Sequence, residues 1–171
     1  MKLHKYIRGV LCYIFILTLF LPALLQTQET TWAAEFNPEL ILTDAELQDT
    51  TSMDEVAIAK LLLNKGSYLA TLMAIDINGQ TLPASKIIYD SAIRYHINPR
   101  YILVTLQKEQ SLIDGIPQGD MQARLDWAAG YGICDSCSKS DPLLQKFKGF
   151  GTQVDYAAGA NRYYLDNPTK F

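Results

Sequence analysis

Glu109 is the side chain whose placement most suggests chemistry. It stands in the run Leu106-Gln107-Lys108-Glu109-Gln110-Ser111. Projected at about 100° per residue from Tyr101, it falls at roughly 80° on a helical wheel. Ile102, Leu106, Leu112 and Ile113 fall at about 100°, 140°, 20° and 120° on the same projection, so the carboxylate is expected on the apolar side. An inward carboxylate loses hydration, which favours its protonated form. A carboxyl group kept protonated near neutral pH can serve as a general acid. The plainer alternative is a glutamate that reaches past its neighbours to solvent, or pairs with a buried arginine or lysine. A second constellation is Cys134-Asp135-Ser136-Cys137. That spacing suits a redox pair or a local staple. Its flanks, Gly-Tyr-Gly and a Ser/Lys-rich loop, offer no helix N-terminus to lower a thiol pKa, so a disulfide between Cys134 and Cys137 is expected. Asp114, Asp120, Asp126 and Asp135 are candidates for a second carboxylate, and their spacing selects none of them.

Helices must position these groups. Ser52-Met53-Asp54-Glu55 has the pattern of a capping box, with Ser52 as the cap. Met53, Val56, Ala59, Leu62 and Leu63 then recur at helical spacing up to Lys65-Gly66. Residues 67–80 read as extended or loop. Asp76-Ile77-Asn78-Gly79 shares part of a calcium-loop pattern but reads more simply as a turn. Pro83 opens a helix with Ala84, Ile88, Ala92 and Tyr95 as its apolar stripe, and His96 at its end faces the negative pole of the helix dipole. Asn98-Pro99 caps and starts the next helix, which is expected to run to Ile113 and carries Glu109. A short helix at 121–129, irregular chain at 130–142 and a last helix over 152–166 complete the reading. Val154, Ala157, Ala158, Asn161 and Leu165 form the core face of that last helix.

The stretch from Ala92 through His96, Asn98-Pro99 and Leu103-Val104 to Leu106-Gln107-Lys108-Glu109-Gln110-Ser111 resembles the lysozyme-like superfamily, the lytic transglycosylases and goose-type lysozymes. In that family a helix ends near an Asn/Asp-Pro pair, and the next carries an apolar run ending in the catalytic glutamate with serine beside it. Gly130-Tyr131-Gly132-Ile133 is similar to the glycine-led strand segment facing that glutamate. Residues 153–165 resemble the later helix with its glycine and tyrosine. The likeness covers residues 84–166 and implies a mostly α, α+β lysozyme-like fold, with several helices around the catalytic-glutamate helix and a small irregular or β segment. It implies Glu109 as the catalytic acid, Ser111, Tyr131 and Tyr163 as substrate contacts, and peptidoglycan glycan strands as partner. The bond cut would join N-acetylmuramic acid to N-acetylglucosamine. The alternative is a wall-binding or structural module that kept the fold without the chemistry. This sequence departs from the family pattern in three places. Gln110 stands between the glutamate and Ser111. Cys134 and Asp135 replace a glycan-contacting glutamine. Arg162 stands where a tyrosine is expected, with Tyr163 one residue later. Trp127, Tyr131, Phe147, Phe150 and Tyr156 either stack on sugar faces or fill the core.

The N-terminus has the three-part layout of a secretory signal peptide. Lys2, Lys5 and Arg8 precede an apolar run from Val10 to Leu25, and Thr31-Trp32-Ala33-Ala34 supplies the small-residue cleavage site, with the cut after Ala33. The run is shorter than the roughly 20 residues a membrane helix needs, and Pro22 interrupts it. An uncleaved anchor is the alternative, and membrane contact is expected through that segment alone. The protein is therefore expected outside the cytoplasm: secreted, periplasmic or attached to the cell wall. The divisions expected are 1–33 as signal peptide, 34–80 as a lead-in with one helix, and 81–171 as a lysozyme-like domain that Phe171 leaves incomplete. Over 171 residues, 15 Lys and Arg face 18 Asp and Glu, net −3. The leader removes Lys2, Lys5 and Arg8 but only Glu29, so the remainder is more acidic still. That composition argues against an electrostatic nucleic-acid binder. Beyond the leader stand only His96, Cys134 and Cys137, too few for a four-ligand zinc set of Cys and His, and neither metal nor cofactor is expected.

Overall fold

A computed structural model describes residues 40–134 and 136–170. The expected signal peptide at 1–33 lies outside the described residues, as does Asp135. Residue 40 onward forms one compact unit. It is mostly helical with a single two-stranded sheet: α1 (Asp44–Leu47), α2 (Glu55–Asn64), β1 (Met73–Ile75), β2 (Thr81–Pro83), α3 (Ala84–Tyr95), α4 (Pro99–Gln110), α5 (Met121–Asp126) and α6 (Phe150–Asp166).

The expected division between 80 and 81 does not survive folding. It would cut a β-hairpin in which Met73, Ala74 and Ile75 pair antiparallel with Pro83, Leu82 and Thr81. The lead-in also carries part of the core, since Ile58 and Leu62 of α2 are wholly buried. The hairpin turns on Asp76, whose carboxylate accepts from the backbone N–H groups of Asn78 and Gln80, with Gly79 at φ 81°. Asp76-Ile77-Asn78-Gly79 is thus a turn, as its residue types favour.

One helix start differs from expectation. The cap of α2 is Asp54, which accepts from Ala57 N at 2.7 Å, while Ser52 donates instead to Asn98 Oδ1. The capping box sits earlier, on Thr43 and Glu46 of α1. Ala57, Ile58, Leu61 and Leu62 of α2 turn inward, and Val56, Ala59 and Leu63 are exposed. Asn98 caps α4 as its pairing with Pro99 implies, accepting from Arg100 N at 2.9 Å. Its amide also donates to Glu46 O, and its backbone N–H to Leu47 O, which fastens the lead-in to α4. His96 closes α3 in the left-handed region at φ 52°.

The core gathers Ile58, Leu62, Ile88, Leu106, Leu112 and Val154 at full burial, each contributing about 2 kcal/mol by removal from water. Its broadest helix contact is α3 on α6. Gly151, Asp155 and Gly159 are spaced four apart, so they share one face of α6. A Cβ on Gly151 would lie 2.2 Å from the Ile75 carbonyl oxygen, and one on Gly159 would lie 3.2 Å from the Tyr95 ring. Backbone cannot yield where a side chain can. Gly151→Ala is therefore expected to cost about 3 kcal/mol. Gly159→Ala should stay within about 1 kcal/mol of wild type, because helix propensity offsets the tighter contact. Urea unfolding midpoints of the two variants measure the difference.

Candidate functional site

The helix carrying Glu109 stops earlier than its wheel assumed. Ser111 takes φ 57° and ψ 39° and closes α4 after Gln110, so Leu112 and Ile113 leave the helical projection. The buried face is set by Pro99, Ile102, Leu103 and Leu106, whose wheel positions centre at about 150°. Glu109 therefore lies on the flank of the buried face rather than in its middle. About a third of its side chain is open to solvent (33%), and Lys108 Nζ stands 3.3 Å from Oε1. The expected inward, dehydrated carboxylate is not found, and the Lys108 contact is a surface ion pair of small energetic weight.

Several side chains fix that helix end. Gln107 Oε1 accepts from Ile113 N and Asp114 N, at 2.9 and 3.0 Å. Arg124 of α5 donates to the carbonyls of Gln110 and Gln118. On its other side the carboxylate rests on Gly130. A Cβ there would come within 2.8 Å of Oε2, and φ is 68°. Gly130 serves twice, giving the left-handed backbone and admitting the carboxylate. The glycine-led segment does face Glu109, but as a turn rather than a strand.

The turn is held from beneath by Gln153, a wholly buried residue in the first turn of α6. Its Oε1 accepts from Ala129 N and Tyr131 N, and its Nε2 donates to Tyr131 O and Phe147 O. Tyr131 then stacks on Tyr156 at 5.3 Å and 23°, with the Phe147 ring edge-on to both. Tyr131 and Tyr163 line one cavity of about 450 Å³, with Tyr95, Tyr156 and Tyr164 around Gly159. No family model, curated protein or solved structure matches this chain.

The sequence-expected residues thus separate. Glu109 lies against the residue preceding Tyr131, and Tyr131 shares a cavity with Tyr163. Ser111 is the helix cap two residues beyond Glu109. Trp127 and Phe150 are buried in the interior, whereas Tyr131, Phe147 and Tyr156 form an aromatic trio nearer the surface. Cys134 and Cys137 are joined in a disulfide, with Cα atoms 5.0 Å apart, on the irregular chain after Tyr131. The three candidate second carboxylates among the described residues have structural work. Asp114 pairs with Lys65, Asp120 caps α5 and Asp126 pairs with Lys148. Among the described residues no cluster of three or more His, Cys, Asp or Glu side chains could hold a metal ion.

Sequence reasoning missed Gln153, Asp155 and Tyr95 as site residues. Asp155 is buried on α6 and binds the guanidinium of Arg94, while the Tyr95 hydroxyl donates to its Oδ2 at 2.9 Å. The only available signal was a glutamine and an aspartate beside the apolar face of a helix. Tyr95 is thereby oriented at the cavity wall. Burial, reinforced by the hydrogen bond to Asp155, pushes its hydroxyl above the ordinary tyrosine range. The folded chain holds that proton more tightly than the unfolded one. This contribution is intact below about pH 10 and fades as pH climbs through the raised folded value. Tyr95→Phe should cost about 1.5 kcal/mol at neutral pH. Urea titrations across pH should show the gap from wild type narrowing on the alkaline side.

Proposed function

We propose that this chain is an exported peptidoglycan-cleaving glycosidase of lysozyme-like type, acting as a lytic transglycosylase between N-acetylmuramic acid and N-acetylglucosamine. The observation that carries this reading is the seat of Glu109. A glutamate in the last turn of a helix lies directly on a left-handed glycine, and the tyrosine after that glycine opens an aromatic cavity. A glycan strand offers flat apolar sugar faces for such rings. The glycosidic oxygen needs an acid, which a positioned carboxyl supplies. The signal-peptide layout and the Cys134–Cys137 disulfide support an extracytoplasmic location.

The chemistry follows from a single carboxyl group. Glu109 protonates the leaving oxygen as the glycosidic bond breaks. The resulting carboxylate accepts the proton of the sugar's own primary hydroxyl, whose oxygen closes onto the anomeric carbon. Atoms balance without water, and the glutamate ends protonated again. Hydrolysis requires a second carboxylate, at about 5–5.5 Å for retention or 6.5–9.5 Å for inversion. Among the described residues, the candidates Asp114, Asp120 and Asp126 are engaged with Lys65, the α5 backbone and Lys148, which favours the single-carboxyl route.

A wall-binding module without catalysis is the second reading. It is favoured by the hydration of Glu109 and its Lys108 contact, since a general acid gains from a drier setting. Glu109→Gln separates the two. On purified peptidoglycan the variant should lose lysis while its melting temperature stays near wild type, because the carboxylate is surface-paired. Mass spectrometry of wild-type products should show anhydro ends lighter by one water than hydrolysis products. Reducing ends as the sole product would remove the transglycosylase assignment, and unchanged lysis by Glu109→Gln would remove Glu109 as the acid.

A further inference from the structure

We propose that Gln153 is the positioning residue of this site, holding Gly130-Tyr131 from below as a fixed wall against the Glu109 carboxylate. The proposal rests on Glu109 being the working group of the site. Gln153 is wholly buried and touches the turn, not the carboxylate. A side-chain amide offers two N–H donors and one oxygen with two lone pairs, and here all four capacities are used. Both acceptor contacts go to the backbone N–H groups of Ala129 and Tyr131, and both donor contacts to the carbonyls of Tyr131 and Phe147. Only one orientation of the amide satisfies that set, so it is fixed as well as buried.

The residues it grips lie on either side of the glycine that meets Glu109. Ala129 and Tyr131 flank Gly130, and Phe147 closes the far end of the irregular segment. Phe147 also limits Gly132, where a Cβ would lie 2.6 Å from its ring. Without Gln153 those backbone groups would be buried unpaired or would turn outward to water. Either outcome moves Gly130 off the carboxylate and Tyr131 off Tyr156. An apolar side chain of equal volume would fill the space without orienting the turn. A displacement of about 1 Å at a reacting group can cost on the order of 100-fold in rate.

The test compares the full secreted chain with Gln153→Met, which keeps the length and removes every hydrogen bond. Gln153→Glu, whose protonated form can keep three of the four bonds, is the conservative variant. The first readout is the side-chain carboxyl 13C resonance of Glu109. It should move in Gln153→Met although residue 153 does not touch Glu109, and return toward wild type in Gln153→Glu. The second is lysis of purified peptidoglycan, where Gln153→Met should lower kcat about 100-fold and leave KM nearly unchanged. A Glu109 resonance identical in wild type and a folded Gln153→Met overturns the proposal, as does activity that falls only with the unfolded fraction. If Gln153→Met does not fold, hydrogen exchange on the wild type decides. Ala129 and Tyr131 amides exchanging as freely as the exposed loop at 138–140 would overturn the proposal, and strong protection would uphold it. A wild type that never cleaves glycan defeats the cleavage reading alone, and the carboxyl resonance still decides the role of Gln153.

Discussion

The close approach of the last helix to the rest of the chain is the constraint on which this structure depends. Gly151 meets the backbone of Ile75, and Gly159 meets the ring of Tyr95, on the same face of α6. Between them Asp155 is buried against Arg94 and Tyr95 of α3. A buried carboxylate is tolerated only with partners that replace its water. That requirement fixes the rotation of α6 about its own axis, and the two glycines fix its depth. Any larger residue at 151 would lift the helix from the hairpin.

That rotation places Gln153 under the turn at 129–131. Residues 151, 155 and 159 point to the hairpin and α3, so residue 153 points elsewhere, toward the chain entering from α5. The site is consequently assembled from four separate stretches. The end of α4 gives Glu109, the turn after α5 gives Gly130 and Tyr131, α3 gives Tyr95, and α6 gives Gln153 with Tyr156, Tyr163 and Tyr164. Gln107 accepts from the backbone N–H groups of Ile113 and Asp114 just past the helix, and Arg124 donates to the Gln110 carbonyl that helix termination leaves unpaired. The position of the carboxylate thus follows from polar contacts at helix ends as much as from the apolar core.

Several features were legible because they are local. Asn98-Pro99 determines a helix start through one side-chain acceptor and one missing N–H, and both act within a single turn. The Asn78-Gly79 turn and the Cys134–Cys137 bridge are likewise short-range. The capping box at Ser52 failed because Asp54 competes for the same role, and Ser52 has a distant partner in Asn98 that no local pattern reveals. Val56 and Leu63 face outward because Ile58 and Leu62 are the residues of α2 that meet the core. The wheel placed Glu109 inward by counting Leu112 and Ile113, which the left-handed Ser111 removes from the helix. Serine is not a residue that announces such a conformation.

The sequence by itself determined the helical character, most helix positions and the adjacency of the cysteines. Each depends on interactions within a few residues along the chain. The tertiary structure alone decided that Glu109 is partly hydrated, that Gly130 is its seat and that Gln153 fastens that seat. It also decided that residues 40–80 belong to the same compact unit as the helices that follow. Those facts depend on which helix face meets which neighbour, and hence on close contacts and buried polar pairs between residues far apart in sequence.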